Sequence, residues 1–252
     1  MNFTSSTRRP ARTAILAAAA VAVSIIAGSP HLRAETPPVA DKAARELMHH
    51  AHNARAVWND FPGFTAKLTV RTDDAVHRGT IRVTPDFQWT LDLPQEAQKP
   101  WLKSKLQSVI SHRRPDDFTE SEFGFVPGPH TAESGRLIAQ LDGSGVFRIK
   151  DGVIAEVLRK GEKQWLEITN VEMFKTAEGH ELPRISSVVF RDPATGDITS
   201  NLTNTFEWKR LGRFDLPRRT FTVEVAAKGN RSVRELTFED VQLLTPATVS
   251  AK

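Results

Sequence analysis

The sequence predicts an α+β fold: a large curved antiparallel β-sheet, a half-open barrel, packed by one or two helices. Three observations predict it. A helical hydrophobic period occurs only twice, over Ala40–Asp60 and Pro100–Ser111. Strict apolar–polar alternation fills most of the remainder. Several alternating segments exceed ten residues, well above the usual five or six, which fits a strongly curved sheet better than a compact sandwich. Composition agrees: of 252 residues 39% are hydrophobic and 25% charged, with no cysteine and no tyrosine. A polytopic membrane protein, a collagen-like chain and a wholly disordered one are thereby excluded.

Residues 1–34 read as a signal peptide. Arg8, Arg9 and Arg12 precede an apolar run from Ala14 to Ala27 broken only by Ser24. That run falls short of the roughly 20 residues a bilayer span needs but suits a secretory leader. Gly28-Ser29-Pro30 breaks it, and cleavage after Ala34 is expected despite the unfavourable Leu32; an uncleaved anchor is the alternative. The expected location is periplasmic or secreted, without stable membrane insertion after cleavage. The leader also explains the net charge of +4: its four arginines removed, 30 basic residues face 30 acidic ones. No basic field remains for nucleic acid. With no disulfide available, stability must come from burial alone. Residues 35–39 read as a linker, 40–245 as one domain, and 246–252 as a frayed tail.

The first helix, Ala40–Asp60, carries a stripe of Leu47, Ala51, Ala54, Trp58 and Phe61, ended by Pro62-Gly63. Phe64–Arg71, His77–Val83 and Phe87–Leu93 then alternate across short turns and form a meander. The second helix has Pro100 in its first turn and an apolar face of Trp101, Leu102, Leu106, Val109 and Ile110. Further strands are expected at Phe123–Val126, Arg136–Leu141, Val146–Lys150, Val153–Arg159, Gln164–Phe174, Leu182–Arg191, Ile198–Trp208, Asp215–Ala226 and Ser232–Leu243. Glycine- and aspartate-rich turns separate them. So many strands with two helices leave part of the concave face uncovered unless the sheet closes.

Four strings carry a resemblance: Trp58-Asn59-Asp60-Phe61-Pro62-Gly63-Phe64-Thr65-Ala66, Gly79-Thr80-Ile81-Arg82-Val83, His112-Arg113-Arg114, and Phe190 to Gly196. In order and spacing they resemble the family known as domain of unknown function 3386, over roughly Ala40 to Leu243. That family has no established activity. More distantly, a helix, a Phe-x-Ala strand start and a long meander are similar to the lipoprotein-carrier architecture. The resemblance implies an unclosed barrel with a helical lid over an apolar cavity that takes acyl chains.

Candidate ligand-binding residues are His112, Arg113, Arg114, Trp89, Trp101, Phe206 and Trp208. Two guanidiniums after the second helix can clamp a carboxylate or phosphate, although cations there also suit the helix dipole. Asp116, Asp117, Glu120 and Glu122 could neutralise them internally. The aromatic residues read first as core and second as cavity lining. His49, His50 and His52 read as a solvated helix face and not as metal ligands. No nucleophile elbow, phosphate loop or dinucleotide fingerprint occurs, so no catalytic residue, cofactor or metal is assigned. The expected partner is a hydrophobic or lipid-like small molecule. An enzyme with a site dispersed over several strands, or a structural module, stands as the alternative.

Overall fold

The computed structural model describes residues 37–245, apart from 117, 119, 120 and 129. The expected leader and tail lie outside the described residues.

Alternation becomes twelve strands: β1 (Phe64–Arg71), β2 (Val76–Val83), β3 (Trp89–Asp92), β4 (Phe123–Phe125), β5 (Arg136–Gln140), β6 (Val146–Lys150), β7 (Val153–Lys160), β8 (Trp165–Lys175), β9 (Glu181–Arg191), β10 (Ile198–Leu211), β11 (Phe214–Ala226) and β12 (Arg231–Leu243). All join one antiparallel sheet in the order β3-β2-β1-β12-β11-β10-β9-β8-β7-β6-β5-β4. Its two edges, β3 and β4, are consecutive in the chain and do not pair, so the barrel is open. Between them runs the segment that carries α2 (Pro100–Ile110). Breaks in register within the β1–β12, β6–β7, β8–β9, β9–β10 and β10–β11 ladders add local twist.

Two separate cores form, one under each helix. α1 (Lys42–Asn53) starts at Asp41, whose carboxylate accepts from the amides of Ala43 at 2.7 Å and Ala44 at 3.1 Å. It packs Ala44, Met48 and Ala51 against Phe123, Ile138, Phe147 and Ile149 of β4, β5 and β6. α2 has Pro100 in its first turn, as expected, and buries Leu102, Leu106, Val109 and Ile110. These meet Phe64, Leu68, Val70, Ile81, Phe206, Leu236 and Phe238 from β1, β2, β10 and β12.

The expected first helix is too long. It ends at Asn53, because tertiary partners take the backbone groups that would continue it. Ala56 donates to the Glu181 carbonyl at 2.9 Å, Glu181 donates back to Ala54 at 2.8 Å, and Trp58 donates to the Arg113 carbonyl at 2.8 Å. Trp58 and Phe61 therefore sit on a buried loop and belong to the core under α2, not to the stripe of α1. The third strand is also shorter than expected. Phe87 adopts a left-handed conformation (φ 65°) within the Thr84–Gln88 turn, which turns its ring onto Phe61 at 5.1 Å. Strand pairing then begins at Trp89.

Candidate functional site

No residue of β8 or β9 belongs to either core among the described residues. The middle of the concave face is thus lined but not covered by the helix-packed clusters. Which residues line it follows from register, since directly paired residues in antiparallel strands point to the same side. One row runs Glu224–Leu202–Val188–Ile168–Val157 across β11, β10, β9, β8 and β7. Its last member, Val157, packs against the core under α1. A second apolar pair, Phe190 and Leu166, adjoins it. Leu166, Ile168, Val188, Phe190 and Leu202 are all half-buried. Together they make an apolar trough between the two cores.

Beside it runs a polar row: Arg234–Thr222–Asn204–Ser186–Asn170, from β12 to β8. Asn204 is its hub and is only 2% exposed. Its side-chain oxygen accepts from Thr222 Oγ1 at 2.8 Å and from Lys105 Nζ of α2, and its amide donates to Ser186 Oγ at 3.3 Å. A buried amide satisfied on both sides holds its rotamer, which fixes where Lys105 ends.

Where the rows pass beneath α2 there is a cavity of about 230 Å³, lined by Trp101, Ser104 and Lys105 of α2 and by Phe190, Leu202, Thr222, Glu224 and Arg234 of the sheet. Trp101 and Lys105 are one helical turn apart, so both project to the same side. Arg234 pairs with Glu224 at 2.7 Å and lies 5.4 Å from the Trp101 ring centre. Lys105 lies 5.5 Å from the ring centre of Phe206. No carboxylate pairs with Lys105 among the described residues. Burial, helped by the charge of Arg234, pushes its pKa down from 10.5 to about 8.

The folded-state value lies below the unfolded one, so between pH 8 and 10.5 the unfolded chain holds a proton that the folded chain has released. Lys105 therefore costs stability below pH 8, and that cost fades as the pH rises towards 10.5. Lys105→Met is expected to be at least as stable as the parent at pH 7. Its advantage should shrink by pH 10.5, as read from urea denaturation at both values.

Of the seven residues expected to contact a ligand, Trp101 lines the cavity and Phe206 lies under Lys105. Trp208 stacks on Phe206 at 6.3 Å, and its indole donates to the Pro183 carbonyl at 2.8 Å. Trp89 packs on the core from β3. Arg113 is not at the cavity: it is buried (6% exposed), donates to the Ala56 carbonyl at 3.0 Å and lies 5.9 Å from the Trp208 ring centre. Burial lowers its pKa to about 9, with a further contribution from Arg55. His112 and Arg114 are exposed beside it. Asp116 pairs with Arg55 at 2.5 Å instead of with the arginine pair, and Asp117 and Glu120 lie outside the described residues. His49 and His52 pack on the Phe118 ring at 4.9 and 5.4 Å.

Lys105 and Asn204 escape a linear reading but left a trace. Asn204 and Ser186 are polar residues in a strand parity otherwise held by Leu202, Phe206, Val188 and Phe190. Lys105 adjoins Leu106 on the border of the apolar helix face.

A family model described as protein of unknown function (DUF3386) matches residues 39–244. The chain belongs to the DUF3386 family. A search of curated proteins returns no significant match. Among solved structures, a LolA superfamily protein from Nitrosomonas europaea is similar at 10% identity and a TM-score of 0.29, covering 85% of this chain and 98% of that one. A putative outer membrane lipoprotein-sorting protein domain from Vibrio parahaemolyticus is similar at 10% identity and a TM-score of 0.34, over 82% and 93%. At these identities and TM-scores neither likeness carries a function across. For this DUF3386 chain the functional reading therefore rests on the trough and cavity themselves.

Proposed function

We propose that this protein is exported and binds an apolar or amphipathic ligand, a lipid or acyl chain, along the open trough of its concave face. The observation that carries the reading is the row Leu202–Val188–Ile168–Val157, apolar and half-buried: its ends reach the cavity under α2 and the core under α1, and its middle, Val188 and Ile168, belongs to neither core. Apolar surface kept this exposed on a concave wall is a binding signature more than a packing one. Trp101 is the ligand contact we assign from the aromatic set. Export rests on the charged start and apolar run of residues 1–34. Among the described residues no helix is long and apolar enough to cross a membrane.

Native mass spectrometry of the purified protein tests the binding reading. A co-purifying or titratable acyl compound at one per chain is the expected result. Failure to bind palmitate, methyl palmitate and hexadecanol alike overturns it. Sequencing the mature N-terminus tests export, with a start near Glu35 expected and a start at Met1 counting against cleavage.

A further inference from the structure

We propose that the cavity under α2 is a head-group site for a monoanionic, single-chain amphiphile, whose carboxylate is taken by Lys105 while its chain lies in the trough. This rests on the binding reading above and adds the ligand's chemical class and direction.

Size comes first. At about 230 Å³ the cavity lies below the roughly 300–1,000 Å³ of ordinary small-molecule sites. It takes a head group and the first carbons, not a whole lipid. The remainder needs an apolar path out, and Leu202 and Phe190 supply one: both line the cavity and both pair directly into the trough through Val188 and Leu166.

Charge comes second. Two cations and one carboxylate face the cavity: Lys105 from α2, Arg234 from β12 and Glu224 from β11. Glu224 is already bound to Arg234, so about one positive charge, that of Lys105, is uncompensated. A desolvated cation with no counter-charge is costly, and a bound monoanion relieves it. A dianionic head would overshoot and meet Glu224. Donor capacity agrees: an ammonium has three donors, and Lys105 uses one on Asn204. This places the anion inside, under α2, and not at the Arg113-Arg114 corner.

Titrating matched ligands of one chain length separates the possibilities: palmitate, methyl palmitate and hexadecanol, at pH 7 and low ionic strength. The parent is expected to bind palmitate at least tenfold more tightly than the two neutral ligands. Lys105→Met should bind all three equally, whereas Lys105→Arg retains the preference. Lys67→Met, which removes an exposed lysine paired with Asp240, serves as the charge control and should change nothing. Raising the pH from 7 to 9.5 should erode the parent's preference as Lys105 discharges, but not that of Lys105→Arg. Equal binding by the parent, or a preference that survives in Lys105→Met, overturns this inference while leaving trough binding intact. No binding of any of the three overturns the trough reading instead. Lys105→Met keeps Asn204 satisfied through Thr222, so the variant is expected to fold.

Discussion

Replacing Trp58 by alanine is expected to lower stability by about 3–5 kcal/mol, the range for removing a buried large aromatic. Trp58 is 3% exposed, and its ring meets Phe61 at 4.8 Å and Phe87 at 6.0 Å. Among the described residues its indole nitrogen has no hydrogen-bond partner, so the loss is one of packing and transfer. The consequence extends beyond one cavity, because the Trp58 loop joins the end of α1 to β9 and to the segment after α2. For a domain of this size each kcal/mol moves the melting temperature by roughly 2–4 °C, so a drop of about 10 °C is expected. His49→Ala, on the exposed face of α1, should stay within about 0.5 kcal/mol of the parent. Calorimetry of both variants decides the matter, and a small, equal effect from the two contradicts the placement of Trp58 in the core.

Placing a carboxylate in the trough with Ile168→Asp is expected to weaken methyl palmitate binding about a hundredfold, or 2.7 kcal/mol. An alkyl chain lying across β8 would strip water from the new charge without replacing its hydrogen bonds. Stability should fall by only about 1 kcal/mol, since Ile168 is half-buried. Thr169→Asp puts the same charge on the opposite face of the same strand and should leave binding untouched. Equal losses from the two substitutions, or none from Ile168→Asp, would mean that no chain lies on this wall.

Much of the architecture is legible in the residues, for a local reason. Alternation with period 2 and turn chemistry act over a few neighbours. Strands such as Phe64–Arg71 and Val146–Lys150 therefore fall where the pattern puts them. The second helix is equally legible, with Pro100 opening it and Leu102, Leu106, Val109 and Ile110 forming its buried face. The loop Asp192–Asp197 is what its residues imply, an aspartate turn in which Asp192 accepts from the amides of Ala194 and Thr195 at 2.8 and 3.0 Å.

The structure shortens two elements, the first helix and the third strand. Spacing alone extends the first helix to Asp60, since Ala54, Trp58 and Phe61 continue its stripe. Hydrogen bonds to Glu181 and Arg113, far along the chain, end it at Asn53 instead. Adjacency in sequence also says nothing about burial, and of the pair Arg113-Arg114 only Arg114 is exposed. In the fold Arg113 is enclosed by Ala56 and Trp208.

By itself, then, the sequence determined the fold class, nearly every strand and the second helix, because these follow from propensity and periodicity within a short window. The tertiary structure alone decided that the edges β3 and β4 stay unpaired, that two separate cores form, and that a polar row across five strands runs beside an apolar row across four. The physical reason is register. A slip of one residue in any ladder would send Asn204 or Ile168 to the opposite face. That choice depends on pairing between strands far apart in sequence, and it is what brings Lys105 of a helix onto Asn204 of a strand 99 residues away.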